Sequence, residues 1–275
     1  MKNNILARIT MLPVMTAAIC LTTACGEDED IPAIDNSGTG NVNPANVIVA
    51  DPTANAHLAN LLSCRFELDD DGLLTGIYGI EYDIDENGEE VPSETQSLWY
   101  EYSNGTATIR IEEPPYDGTV QTICQYQIGP NGFANSMVQV YTGDGTREYW
   151  RYFYDSEGHL IKINESGDEC VLRYEGGNLA SYTDYSDEED EVTFSYDGTP
   201  NTIGYMPYIL DPEGFESSFR EVWYAYLAGI LGRPSAELPV SAHIDYHGRF
   251  SNEDMTARYV YERETGLLSN ILWEE

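Results

Sequence analysis

The chain has 275 residues, with 13 Lys and Arg against 48 Asp and Glu and a formal net charge of −35. That balance excludes nucleic-acid binding, which needs basic residues to displace counterions from phosphates, and it repels anionic lipid headgroups. With 41% hydrophobic residues, 21 Tyr and 4 Trp, the sequence carries enough apolar and aromatic surface for a substantial core, which excludes wholesale disorder.

Lys2 and Arg8 precede or open an apolar stretch reaching Leu21, followed by the small residues Thr22, Thr23 and Ala24 and then Cys25. A basic start, a short apolar core and a small-residue cleavage zone make an export signal, whereas a membrane-spanning helix needs about 20 predominantly apolar residues. The segment 1–24 resembles the signal peptide of bacterial lipoproteins. That resemblance implies lipid on Cys25, which becomes the first residue after cleavage; Thr22 stands where such signals usually have a larger aliphatic side chain. Removal of Lys2 and Arg8 with the leader leaves 11 basic against 48 acidic residues, a net charge of −37. The acidic run Glu27 to Asp30 is similar to the surface-export tag of lipoproteins from the Bacteroides group. It implies an outer-membrane protein exposed at the cell surface, with a periplasm-facing anchor as the alternative.

Residues 25–54 combine acidic residues with Gly38, Gly40, Asn41, Asn43 and Pro44 and show little periodicity. They read as a flexible acidic tether, with the folded domain spanning 55–275. From there, runs rich in Tyr, Val and Ile are broken by turn signals: Tyr100 to Ile111 around Asn104-Gly105, Cys124 to Val140 around Asn131-Gly132, and Trp150 to Ile163 around Glu157-Gly158. Cys170 to Tyr182 follows around Gly176-Gly177-Asn178, then Val192 to Tyr196 before Asp197-Gly198, and Tyr259 to Leu268 around Gly266. Tight turns want positive-φ residues between extended runs, so these are hairpins. Their recurrence predicts a mainly β fold: an antiparallel hairpin-repeat meander forming a twisted sheet. The tyrosine rows read as filling of the sheet face, with a carbohydrate-stacking surface as the functional alternative.

One segment breaks the period. Asp211-Pro212 supplies a cap and a first-turn proline, after which Phe215, Phe219, Val222, Trp223, Tyr226, Leu227, Ile230 and Leu231 recur at helical spacing. An amphipathic helix near 212–232 is expected to pack on the sheet and to stop at Gly232 and Pro234. Trp223-Tyr224-Ala225-Tyr226-Leu227-Ala228-Gly229-Ile230-Leu231-Gly232 and the following Leu238-Pro239 resemble the signature helix and Leu-Pro loop of a domain-of-unknown-function family of Bacteroides-type lipoproteins. The likeness covers roughly residues 60–273, departs at Trp223-Tyr224 and Glu237, and implies an exported antiparallel β domain with no established catalytic residues.

Among local motifs, Asp83, Asp85 and Asn87, the turn at Gly88, the Glu89 carbonyl and Glu94 match a twelve-residue calcium loop. Extended flanks and Pro92 make an acidic hairpin loop the competing reading. Asp69-Asp70-Asp71 and Asp187 to Asp190 read as solvated hairpin ends. His243 and His247 flank a strand end and a turn rather than a helical face, and no Gly-x-Ser-x-Gly elbow or phosphate loop is present. With Cys20 in the leader and Cys25 lipidated, Cys64, Cys124 and Cys170 allow one bridge at most, in any of three pairings, or stay as buried thiols. Trp99, Tyr116, Tyr141 and Trp150 are the candidate ligand-binding aromatics.

The sequence therefore supports a non-enzymatic surface display or binding module that needs no cofactor beyond candidate calcium. Its expected partners are the membrane, through lipid on Cys25, and a glycan or envelope protein. The alternatives are a carbohydrate-active hydrolase using paired carboxylates and a structural or protein-interaction module of the envelope.

Overall fold

The computed structural model describes residues 48–84, 90–112, 118–165, 168–184, 190–207, 220–248 and 250–274. The leader, Cys25 and most of the expected tether lie outside these residues. Strands β1 (Cys64–Leu68), β2 (Leu74–Ile84), β3 (Glu90–Ser103), β4 (Thr106–Ile111) and β5 (Thr122–Ile128) open the chain. They continue with β6 (Ala134–Tyr141), β7 (Arg147–Tyr154), β8 (Leu160–Glu165), β9 (Asp168–Glu175) and β10 (Asn178–Asp184). The series closes with β11 (Asp190–Pro200), β12 (Glu237–Asp245), β13 (Glu253–Tyr261) and β14 (Leu268–Glu274). All pair antiparallel, each with its neighbours in sequence, in one 14-stranded sheet, so the expected meander is the fold.

The turn chemistry does what its residues dictate. Asn104 and Gly105 hold φ of 50° and 73° between β3 and β4, the doubly positive geometry that matches strand twist. Asp197-Gly198 behaves differently from its hairpin-like sequence. Thr199 N and Oγ1 both donate to Asp197 Oδ1, and the pairing with β12 shifts register here, so β11 runs on to Pro200 through an irregularity instead of turning.

A flat sheet of this many strands would be about 65 Å wide. Instead, one hydrophobic cluster takes buried residues from every strand, with β13 joining through the half-buried Met255 and Tyr259, so the sheet curls around a common core. Inside lie Ile203, Tyr205 and Met206 and helix α2 (Arg220–Leu227). Tyr205, Tyr226 and Leu227 are fully buried. Inward tyrosines complete the packing by donating to main-chain carbonyls: Tyr102 to Leu74 O at 2.9 Å, Tyr154 to Ala134 O at 2.7 Å, and Tyr226 to Gly204 O at 3.2 Å. Burial lifts the hydroxyl pKa of Tyr154 and Tyr226 well above the usual phenol value.

Two helix boundaries differ from the sequence reading. Helix α1 (Pro52–Leu61) starts in the last three residues of the expected tether and runs on into the expected domain, where no helix was foreseen. Asp51 caps it, accepting from Thr53 N at 2.7 Å and Ala54 N at 3.2 Å, with Pro52 in the first turn. Ile48 and Val49 are also buried, so the folded unit begins before Asn55. Helix α2 ends at Leu227, short of Gly232, because Gly229 takes φ 72° and completes a Schellman cap: Gly229 N donates to Tyr226 O and Ile230 N to Ala225 O. The expected start at Asp211-Pro212 lies outside the described residues.

Helix α1 lies across the seam between the edge strands, packing on both β1 and β14. Asn60 Nδ2 donates to Leu268 O at 2.8 Å, and Leu268 N donates to His57 Nδ1 at 3.0 Å. A sheet edge is a template for unwanted pairing, and here one short helix covers both.

Candidate functional site

The curled sheet gives each strand an inner and an outer row. On β7 the burial alternates: Trp150 and Tyr152 point inward, while Arg147, Tyr149, Arg151 and Phe153 point outward and are exposed. Trp150, read as a ligand-binding residue, is 2% exposed and belongs to the core; the face that meets solvent is its neighbour's, with Tyr149 41% and Phe153 43% exposed. Both parities of this strand carry aromatics, so period two alone cannot say which row is wet.

The other expected aromatics scatter. Trp99 is half-buried on the outer parity of β3, opposite Arg110 of β4. Tyr141 is half-buried at the end of β6; its hydroxyl accepts from Gln139 Nε2 at 2.8 Å and lies 3.0 Å from Glu148 Oε2. Tyr116 lies outside the described residues.

So do Asp85, Asn87 and Glu89 of the expected calcium loop. Its ends, Asp83 and Glu94, stand in β2 and β3, where Asp83 pairs with Val91 and Glu94 with Ile80. A hairpin therefore frames this loop, in place of the two helices of an EF-hand. Asp69 serves its turn, its Oδ1 accepting from Asp71 N and Leu73 N. Of the other acidic cluster, 187–189 are not described. Among the described residues no group of three His, Cys, Asp or Glu is placed to hold a metal. Cys64, Cys124 and Cys170 are buried cysteines on β1, β5 and β9.

One cavity of about 380 Å³ opens where the β7–β8 turn, the β9–β10 turn and the loop after α2 meet, lined by Ser156, Glu157, His159, Gly177, Arg233, Pro234 and Ala236. The loop is pinned there: Arg233 N donates to Gly158 O at 3.0 Å and Ala236 N to Gly177 O at 3.1 Å. Gly232 has φ +93°, and a Cβ on it would lie 2.9 Å from Gly158 O, so only glycine permits this approach. His159 is 6% exposed, stacks on Tyr174 with centroids 4.4 Å apart, and sets Nδ1 2.9 Å from Asp155 Oδ2. Asp155 Oδ1 accepts from Glu157 N and His159 N, so both carboxylate oxygens are committed to shaping the turn. Burial works against the charge of Asp155, but the hydrogen bonds from His159 and the backbone outweigh it and hold its pKa below the usual carboxylate value. Among the described residues that line the cavity, Glu157 is the one carboxylate.

No family model matches the chain, and no curated protein matches it. Among solved structures, a porin-like protein from Bacteroides uniformis is 18% identical, with a TM-score of 0.57, over 76% of this chain and 79% of its own. A second porin-like protein, from Bacteroides vulgatus, is 13% identical with a TM-score of 0.42 over 72% of this chain and 87% of its own. The first likeness establishes a shared fold.

Proposed function

We propose that the chain is a non-enzymatic, lipid-tethered module of the bacterial outer membrane that displays its outer sheet face to solvent and forms no pore. The observation that carries this reading is the direction of the sheet. A membrane-spanning barrel turns an apolar band outward and keeps a polar lumen. Here the apolar row faces inward onto Tyr205, Tyr226 and Leu227, all fully buried, while the outer row of β7 carries Arg147 and Arg151. Among the described residues no helix is long and apolar enough to cross a membrane either.

The leader and Cys25 supply the anchor in this account, and the acidic residues after Cys25 supply reach toward the cell surface. The likeness of the α2 segment and the Leu238-Pro239 loop to a lipoprotein family supports the same placement, as does the porin-like description of the neighbour from Bacteroides uniformis. Fractionation of cells expressing Cys25→Ser tests it. The parent protein is expected in the outer-membrane fraction and labelled by palmitate, and the variant in the soluble fraction, folded and unlabelled. Retention of the variant in the outer-membrane fraction with its leader removed would point to a spanning barrel and contradict the proposal.

A further inference from the structure

Acidic residues outnumber basic ones by 48 to 13 along the chain, yet the outer face of β4 to β8 carries none. Its outer rows follow from burial alternation and register: Arg110 stands across from Ile123, Val140 from Arg147, Val138 from Tyr149, and Phe153 from Lys162. Every outward position on these strands is basic, aromatic, aliphatic or uncharged polar. Carboxylates return only at the borders, where Glu101 pairs with Arg110 at 3.1 Å and Glu169 pairs with Lys162. Asp144 and Glu157 mark the turns at either end of β7.

Within this field Arg147 and Arg151 are exposed and have no ion-pair partner among the described residues. They alternate along β7 with Tyr149 and Phe153, and Lys162 Nζ lies 5.5 Å from the Phe153 ring centre. Alternate residues of a strand are about 7 Å apart, so the outer edge of β7 offers a ring, then a guanidinium, repeating over about 20 Å. Aromatic faces stack on the flat apolar sides of sugar rings, and a guanidinium fork matches a carboxylate with two parallel hydrogen bonds. At physiological salt the Debye length is about 8 Å, so a ligand lying on the stripe meets its local positive charge more than the distant acidic rim.

We propose that the Arg147-Tyr149-Arg151-Phe153 stripe binds a linear, carboxylate-bearing polysaccharide. This rests on the reading of the outer face as displayed to solvent. The field is about 20 Å across, strand to strand, and open at both ends. A narrow polymer fits between Glu101 and Glu169, whereas an anionic bilayer laid on the same face would also press against those carboxylates and the acidic turns.

The test uses the full mature chain from residue 25 with Cys25→Ser, probed by affinity electrophoresis and calorimetry with polygalacturonate, alginate and hyaluronan. Fully methyl-esterified polygalacturonate and phosphatidylglycerol vesicles serve as comparisons. Binding is expected to at least one of the three acidic polymers, to be lost on esterification, and to weaken between 50 and 500 mM salt. The pair Arg147→Gln/Arg151→Gln is expected to weaken it at least tenfold, as is Tyr149→Ala/Phe153→Ala, with thermal midpoints unchanged. Arg258→Gln, on the outer face of β13 and paired with Glu274, is expected to leave it unchanged. Three results overturn the proposal: no binding to any of the three polymers, binding indifferent to the arginine pair, or binding to the vesicles in their place. A chain that aggregates without detergent fails the earlier reading of the face, while a well-behaved chain that ignores the polymers overturns this inference alone.

Discussion

Truncating Leu58 tests how the sheet is closed. Leu58 is fully buried, at 0% exposure, in a helix that packs on β1 and β14, strands at opposite ends of the sheet order. Leu58→Ala removes buried methyl groups and leaves a cavity, a change that costs about 2 to 5 kcal/mol. With a urea dependence of about 2 to 3 kcal/mol per molar, the unfolding midpoint falls by about 0.7 to 2.5 M. Stability loss alone would not distinguish a seam helix from any core helix, so the informative assay is native-state amide exchange of the variant. Loosening α1 is expected to raise exchange in β1 and β14 together, including the Leu268 amide that donates to His57, and to leave β7 and β8 protected. Faster exchange confined to β1, the strand next to α1 in sequence, would refute the reasoning, because it would mean that the helix does not bridge the two edges.

Neighbouring residues on β7 give a second contrast: Trp150→Ala is expected to cost about 3 to 5 kcal/mol by denaturant titration, and Tyr149→Ala to stay within about 0.5 kcal/mol. Equal effects would mean that the assignment of rows is inverted. Burial raises the Cys64 thiol pKa and encloses Cys124 and Cys170, so the native mature chain from residue 25 with Cys25→Ser, which lacks Cys20, should resist a thiol reagent until denatured and then react with three equivalents. Fewer equivalents after denaturation without reductant would reveal a disulfide. For Asp155, a depressed folded-state pKa means stability that is present above the ordinary carboxylate value of 3.8 and lost as pH falls through the lower folded value. An NMR titration should place its midpoint below 3.8, and His159→Ala should move that midpoint upward; an unmoved midpoint would remove His159 as a cause.

The meander was legible because its turns are written in residue chemistry. Asn104-Gly105, Gly176-Gly177 and Gly266 all hold positive φ where the sequence asks for it. Helix α1 carries the same Asp-Pro start that marks Asp211-Pro212, but its capping residue sits among polar, small residues, and only Ala54, Leu58 and Leu61 are buried on one side. Part of its stability comes from β14, about 200 residues away in sequence, which no local pattern records. The stop of α2 was misplaced by three residues because Gly229 and Gly232 both suit a left-handed cap, and the choice between them is made by hydrogen bonds to Ala225 and Tyr226.

The outer face was the least legible part. In β7 the alternation of charged and aromatic residues survives a one-residue shift, since Tyr149 and Phe153 lie on one row and Trp150 and Tyr152 on the other. Only the register with β6 and β8 fixes the rows. The same register gathers Arg110, Arg147, Arg151 and Lys162, spread over some fifty positions, onto one face.

The central claim is that this sheet keeps its apolar row for its own core and gives its polar row to water. Sedimentation velocity of the mature chain carrying Cys25→Ser, in detergent-free buffer at about 0.15 M salt, tests it most directly. A discrete, concentration-stable boundary of folded protein is the expected result. A chain that sediments as aggregate and becomes discrete only in detergent micelles would contradict it, because that is the behaviour of a barrel whose outer band faces lipid.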